Sequence, residues 1–361
     1  MPDDLLPGAL ILLSPEDLAA IFTSGFAILD VPRNNIELRL TEVRQGTTGF
    51  SDSSYRVTDN RPHDGKEMLN MDGKQMMSSE TESAPSAAPV DKRWGFYISG
   101  NGEIVDIENT SSARGANFQT GGITVGADYR VSNHVVMGAA LGYSNISADL
   151  NLGGHLRSNG GQANVYGTYY DGGFYVNGIL GGGLGSIETK RLTVGGFAHG
   201  DTNTTSFDAT IGTGYDHKIG AFRFGPLASL RYGRIGLDGF TETGAIGAMF
   251  IDSQSEDSLQ SALGLQASYT ALVGGIAVTP IVRAQWLHEY LTSTSSIRAG
   301  FIPSDTFTVR GPHVGRDGLL LDVGGAAQLT PSLAIFSYYS GELGRKNYDA
   351  HSITGGFRVS F

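Results

Sequence analysis

The last eleven residues alternate without interruption: His351, Ile353, Gly355, Phe357, Val359 and Phe361 fall on one face, and Ser352, Thr354, Gly356, Arg358 and Ser360 on the other. Strict period two marks a strand with one apolar and one polar face. Here the apolar face ends in Phe at the chain terminus. Termini of soluble domains fray and need no aromatic anchor. A barrel strand that faces lipid does need one, at the membrane interface. The period recurs in eleven further segments, roughly 94–106, 119–130, 134–146, 158–170, 173–188, 203–216, 221–236, 256–270, 275–288, 315–329 and 332–343. Ile123, Val125, Ala127 and Tyr129 alternate with Thr124, Gly126, Asp128 and Arg130, and Phe207, Ala209 and Ile211 with Asp208, Thr210 and Gly212. These segments exceed an ordinary strand of about five or six residues. They suit a tilted spanning strand of about nine to eleven residues with overhang.

The connections carry a second pattern. After even segments they are tight: Val131–Asn133, Asp171–Gly172, His217–Gly220, Ala271–Gly274 and Thr330–Pro331. After odd segments they are long, at 107–118, 147–157, 189–202, 237–255 and 289–314, with 344–349 the one short case. Tight turns on one rim and long loops on the other are the polarity of an outer-membrane barrel. The expected fold is all-β, a 12-stranded antiparallel transmembrane β-barrel with an N-terminal α-helical segment in the pore.

That N-terminal segment reads as two helical pieces. Ser14, Pro15 and Asp17 form a helix start, and Leu18, Ile21, Phe22 and Phe26 follow at helical spacing. Pro32 is expected to break or kink the run. The second piece runs from Asn34 to about Gln45, with Ile36, Leu40 and Val43 on one face and Glu37, Arg39, Glu42 and Arg44 around it. Thirty residues of helix reach about 45 Å, enough to cross a barrel. On period alone an amphipathic helical hairpin or a packing fragment fits better than a pore helix. Residues 47–92 lose all period, and Ser78 to Pro89 is low in complexity, so this stretch reads as a linker. The expected division is a helical segment at 1–46, a linker at 47–92 and a barrel at 93–361.

Composition narrows the function classes. A net charge of −11 argues against nucleic acid as a partner. Zero Cys removes disulfides and thiolate metal sites, and no cofactor is expected. No apolar run approaches a spanning helix of about 18 residues. Asp3 and Asp4 precede the short apolar run Gly8–Leu13, so Met1 does not begin a recognisable signal peptide.

A helix, a linker and twelve strands ending in Phe resemble the C-terminal translocator domain of autotransporters, the type V secretion proteins. The resemblance rests on Asn34–Gly46 as the helix before the barrel and on Trp94-Gly-Phe96 opening the first strand. It rests further on Trp286-Leu-His-Glu289, Arg316-Asp317, Tyr339 with Gly341-Glu-Leu343, and the terminal Gly355–Phe361. It covers 93–361 and, more loosely, 14–46. It implies a monomeric barrel in the bacterial outer membrane, contacting lipid, with the helix in its pore and an N-terminal passenger outside. It also implies that Phe357, Val359 and Phe361 form a C-terminal signal read by the barrel-assembly machinery, with periplasmic chaperones escorting the chain. Only 13 residues precede the first helix, which is short for a passenger.

Candidate chemistry is sparse. Asn34-Asn35 resembles pairs that are cut by Asn cyclisation in some autotransporters; the alternative is a polar helix start just after Pro32. Asp128, Arg130, Asp208, Arg223, Arg231, Arg283, Asp322 and Arg358 project inward as pore lining, in a position to pair with the helix charges. His288-Glu289 reads as a loop-edge pair. Gly181-Gly-Gly-Leu-Gly185 lacks a strand-to-helix context for phosphate; on a lumen face it leaves room for a helix. His199, Asp201, Asp305 and His313 lie in outer loops. Three function classes remain: a translocator without enzyme activity, a porin-like channel, and a barrel hydrolase with a rim site.

Overall fold

The computed structural model describes residues 13, 15–45, 93–110, 113–150, 153–291, 294–301 and 305–361. The expected linker, Ser14 of the helix start and the chain before Leu13 lie outside the described residues. Twelve long strands form the barrel: β1 (Trp94–Ile107), β2 (Ala116–Ser132), β3 (Val135–Leu150), β4 (Gly154–Asp171), β5 (Phe174–Thr193), β6 (Gly196–Tyr215), β7 (Phe222–Leu237), β8 (Gln254–Tyr269), β9 (Ile276–Glu289), β10 (Asp317–Gln328), β11 (Leu333–Arg345) and β12 (Tyr348–Ser360). Each pairs antiparallel with its sequence neighbours. β1 also pairs with β12, from Gly95 opposite Ser360 to Ile107 opposite Tyr348, which closes the sheet and leaves no edge.

The faces are inverted relative to a soluble barrel. Leu141, Val165, Leu184, Ile211, Leu265 and Ile353 point outward and are exposed, while Thr124, Asp128, Asn164, Gln266, Arg283 and Arg358 are buried inside. With no water in the bilayer core, a closed ladder is one of two ways to satisfy every peptide group. No described helix is long and apolar enough to cross a membrane by itself. Aromatic residues gather at the two ends of the apolar band. At the turn end, Trp94 meets Tyr129 with ring centroids 4.9 Å apart. Towards the loop end stand Tyr143, Phe207, Tyr232 and Trp286, with Phe207 and Tyr232 6.2 Å apart.

The tight turns fall where the sequence puts them. Gly172 and Gly173 both have positive φ, at 55° and 96°, the geometry of a two-residue hairpin turn that only Gly adopts at no steric cost. Two of the expected loops are not loops. β3 and β4 pair up to Leu150 opposite Gly154, and β5 and β6 up to Thr193 opposite Gly196. Segments 147–157 and 189–202 are therefore mostly strand, and this side of the wall rises above the membrane. Its outward residues there, such as Asn145, Arg157 and Glu188, are polar. Leaving the apolar band changes which side chains are tolerated and does not break the backbone ladder. The loops at 237–255 and 289–314 contain short strands, Phe240–Thr241, Phe250–Ile251, Ser296–Gly300 and Thr306–Arg310, which form a separate four-stranded sheet at the barrel mouth.

A single helix, α1 (Ala20–Gln45), extends a short 3₁₀ turn at Glu16–Ala19 and runs through the barrel. Pro32 lies inside it, so the expected break is absent. Proline removes one ladder bond and crowds the preceding turn, which costs about 3 kcal/mol in water. Inside the barrel, wall contacts on several sides keep the helix continuous past it. The Pro32 ring packs on Gly142, where a built Cβ would come within 2.9 Å. Gly122 and Gly160 stand equally close to Val31 and Ile28. These glycines, and not the Gly181–Gly185 run, admit the helix; Gly181 instead faces Asn164 and Asp208.

Candidate functional site: the helix seat in the barrel lumen

The apolar residues of α1 divide among the walls. Ile36 and Leu40 pack with Tyr97, Ala140, Tyr166 and Ile179. Leu38 faces the opposite wall, against Ile281, Ala326, Phe336 and Tyr338, and Val43 packs on Val136. At the loop end, Leu18, Ile21 and Phe22 enter a larger apolar cluster with Ile107, Phe118, Ile297 and Met249. The first turns of the helix thus seat against the mouth sheet.

Asp30 and Arg33 of α1 pair with each other, while Glu37, Arg39, Glu42 and Arg44 reach the wall. Arg39 donates from Nε and Nη2 to the two carboxylate oxygens of Asp128 on β2, at 2.6 and 2.7 Å, and both side chains are essentially unexposed. Glu42 pairs with Arg358 on β12 and accepts a 2.5 Å hydrogen bond from the Tyr338 hydroxyl on β11. Glu37 meets Arg231 on β7 at 2.8 Å. Arg44 donates to Asn177 on β5 at 2.9 Å and lies 3.7 Å over the Tyr175 ring. Arg223 donates to the Arg44 carbonyl at 3.1 Å, so a cation closes the helix C-terminus, where the backbone dipole favours it. Buried pairs of this kind hold position because removing one partner strands the other charge.

Of the eight inward charges read from the sequence, Asp128, Arg231, Arg358 and Arg223 contact the helix. Arg283 and Asp322 pair with each other across β9 and β10 at 3.4 Å. Asp208 accepts from Gln162, and Arg130 is buried in the lumen. Asn34 and Asn35 sit in the middle of α1, so they are not a helix start after Pro32. Asn35 donates to Thr124 at 2.8 Å, and Asn34 lines a cavity of about 60 Å³ shared with Glu103, Asp322 and Glu342. Phe361 stacks on Phe96, with centroids 5.2 Å apart, and its backbone exchanges two hydrogen bonds with Trp94. Phe357 and Phe361 are exposed on the outer face, and Val359 lies between them.

Sequence reading missed the hydroxyls of Tyr166 and Tyr338 and the amide of Asn177, which complete the charged contacts. All three stand at inward positions of alternating strands, so the period carries their direction but not their partners. It also missed Arg191 on β5, whose guanidinium is 2.6 Å from the Glu242 carboxylate in the mouth loop, both side chains buried. Glu242 further accepts from the Met249 amide. The outer-loop candidates do not converge: His199 bridges its backbone to Thr243, and the His313 ring lies against Thr294. His288 points outward to Asp317 and Glu289 inward to Ser258. No cluster of metal-binding side chains occurs among the described residues.

Esterase EstA of Pseudomonas aeruginosa and that of Pseudomonas putida are each 24% identical over 266 residues, covering 69% of this chain and 40% of the relative. The IgA-specific serine endopeptidase autotransporter of Neisseria gonorrhoeae is 27% identical over 167 residues, 46% of this chain and 10% of its own length. The chain thus spans about two fifths of the length of the esterases. Among solved structures, the translocator domain of the autotransporter NalP from Neisseria meningitidis superposes with a TM-score of 0.61 at 17% identity, covering 74% of this chain and 89% of that one. The beta domain of the Bordetella autotransporter BrkA gives 0.56 at 19% identity, covering 74% and 100%. Residues 94–340 match the "Autotransporter beta-domain" family, and the chain belongs to that family.

Proposed function

We propose that this chain holds its N-terminal segment on the cell surface, as an outer-membrane translocator barrel whose export step ends with α1 lodged in the lumen. The observation that carries this reading is the direction of the helix. Its N-terminal end lies among the mouth loops, with Leu18 and Phe22 beside Ile297. Its C-terminal end lies at the tight-turn rim, where Arg223 meets Arg44. The helix thus enters the lumen from the mouth and ends at the rim where the strand of Trp94 begins. We propose, on the same reading, a division into helical segment, linker and barrel at 1–46, 47–92 and 93–361. A porin reading is disfavoured by the filled lumen.

The test is topological. An epitope placed before Leu13 is expected to be reachable by antibody on intact cells, and one placed within 47–92 only after the outer membrane is permeabilised. The reverse pattern would overturn the reading. We further propose that Phe357, Val359 and Phe361 form the C-terminal assembly signal, with the assembly machinery and periplasmic chaperones as partners, and that the barrel itself carries no hydrolase activity. Support for the signal is its position at the β1–β12 seam, the pairing that closes the sheet. An esterase or protease function in the manner of the curated relatives would reside outside the barrel.

A second reading concerns Asn34 and Asn35. The cavity beside Asn34 is lined by Glu103 and Glu342, carboxylates able to move a proton during Asn cyclisation. We propose this as a cleavage-competent arrangement. The intact mass of chain recovered from outer membranes decides it: a fragment beginning at residue 35 or 36 supports cleavage, and full-length mass rejects it.

A further inference from the structure

The barrel wall is closed, but the mouth sheet is not. Its Phe240–Thr241 end is tied to the raised side of the wall, where His199 and Thr243 exchange two backbone hydrogen bonds. From there the order runs through Phe250–Ile251 and Ser296–Gly300 to Thr306–Arg310. This last strand pairs with Ser296–Gly300 on one side and has no strand on its other side among the described residues. Gly311 donates to the Ser295 carbonyl at 2.8 Å. Bonded and non-bonded pairs alternate along an antiparallel ladder, so Phe307 and Val309 turn their backbone groups into the sheet. Thr306, Thr308 and Arg310 turn theirs to the free edge. All five residues but Val309 are exposed. An edge of this kind is a template for another strand, which natural proteins shield with charge, proline or a bulge. Between Thr306 and Arg310 there is no proline and no bulge, and the one charge is Arg310 at its end.

The edge is complementary to itself. Paired antiparallel about Thr308 of two copies, it sets Phe307 opposite Val309 on both sides of the centre, and Thr306 opposite Arg310. Registered partners share a face, so Phe307 and Val309 stand on the face of Ala299 and Ile297. Both of those are fully buried in the apolar cluster at the loop end, and the new contact continues that cluster across the seam. The exposed Asp305 of one copy meets the end where the exposed Arg310 of the other stands, and no like charges fall opposite. About six backbone hydrogen bonds form, two for each edge-facing pair. Such a seam is smaller than the roughly 1,200 Å² of a stable interface in solution. Two barrels in one membrane already share depth and orientation, so less freedom is lost when they pair.

We propose that the Thr306–Arg310 edge joins two copies of this chain, as an antiparallel seam between their mouth sheets above one membrane. The pairing rests on the membrane-barrel reading above. The chain has no Cys, so an introduced thiol reports contact directly. In outer membranes, where a heat-modifiable gel shift verifies the barrel, oxidation of the Thr308→Cys protein should give a disulfide-linked dimer, since bonded-pair Cα atoms about 5.5 Å apart suit that bond. Arg298→Cys, exposed on the neighbouring strand, should stay monomeric. The double change Thr306→Cys with Arg310→Cys should link as well, and adding Thr308→Pro, which removes an N–H aimed at the free edge, should abolish that link.

Equal linking of Thr308→Cys and Arg298→Cys would mean random collision and overturn the pairing. A Thr308→Cys thiol that reacts with a maleimide but stays unlinked overturns it too. One that neither links nor reacts shows the edge covered by the protein's own chain, which also overturns it. Loss of the gel shift in the unsubstituted protein would instead overturn the barrel reading. Should the Thr308→Pro protein fail to fold, the two single-thiol proteins still decide.

Discussion

Arg39 and Asp128 form a two-pronged ion pair with no exposure to solvent, joining the middle of the helix to the second strand of the wall. Replacing Asp128 by Asn leaves the Arg39 charge buried with a neutral partner. The expected loss of helix seating is on the order of 3–5 kcal/mol. It should appear as faster protease cleavage between residues 20 and 45 in the refolded protein. The double change Arg39→Met with Asp128→Leu removes both charges and should restore most of the protection. A double mutant as labile as the single one would show that the pair is not what seats the helix.

Gly142 faces the ring of Pro32 across a gap that admits no side chain. Gly142→Leu should overpack this contact, at about 1–3 kcal/mol, and expel the helix while leaving the outer face of the barrel intact. A normal gel shift combined with new protease sensitivity in α1 is the expected result. Unchanged protection of α1 would refute it.

Arg191 and Glu242 tie the tall wall to the mouth sheet. With Arg191→Met, Glu242 stays buried and unpaired, and the loop between Asp238 and Ser253 should open. Limited proteolysis on intact cells reads this directly: the substituted protein is cut there first, and the unsubstituted one is not.

Glu256 stands above the outer aromatic ring marked by Tyr232. Burial raises its carboxyl to about 7, aided by Glu289 and Asp257 and opposed by hydrogen bonds from Ser295 and Ser296. A carboxyl raised in the fold contributes stability fully below its unfolded value near 4.5, and loses it as pH rises through about 7. The outer end of the barrel should therefore soften between pH 5 and pH 8. Glu256→Gln should remove that dependence, with a higher unfolding midpoint than the unsubstituted protein at pH 8 and a similar one at pH 5. Parallel pH curves for the two proteins would count against it.

Trp94 and Phe361 exchange two backbone hydrogen bonds, and Phe361 stacks on Phe96, at the seam where the barrel closes. Deleting Phe361 should lower the temperature at which the folded gel band is lost, and reduce the yield in outer membranes. If the temperature falls with no loss of yield, the residue serves closure alone.

The barrel was legible because its physics is local. Ile123 and Val125 face lipid while Thr124 faces the lumen for a reason that repeats every two residues, and Gly172-Gly173 announces its own turn. The helix was legible as a helix but not as one piece, because Pro32 breaks helices in water and is tolerated where Gly142 and its neighbours hold the chain. The inward direction of Asp128 and Arg358 followed from alternation. Their partners, 89 residues away for Asp128, depend on barrel register and helix rotation, which no period encodes. The mouth strands, such as Phe240–Thr241, are too short to show alternation at all.

The charged side chains at 37, 39, 42 and 44 are fastened to strands on several sides of the wall. A pull on the surface segment acts along the helix axis and loads all four fastenings in shear at once. They cannot be peeled open one after another, as a hairpin can. Seen mechanically, the lumen is an anchor bolt: the cell can tug on what it displays, and the force is shared around the circumference of the barrel before any single contact gives way.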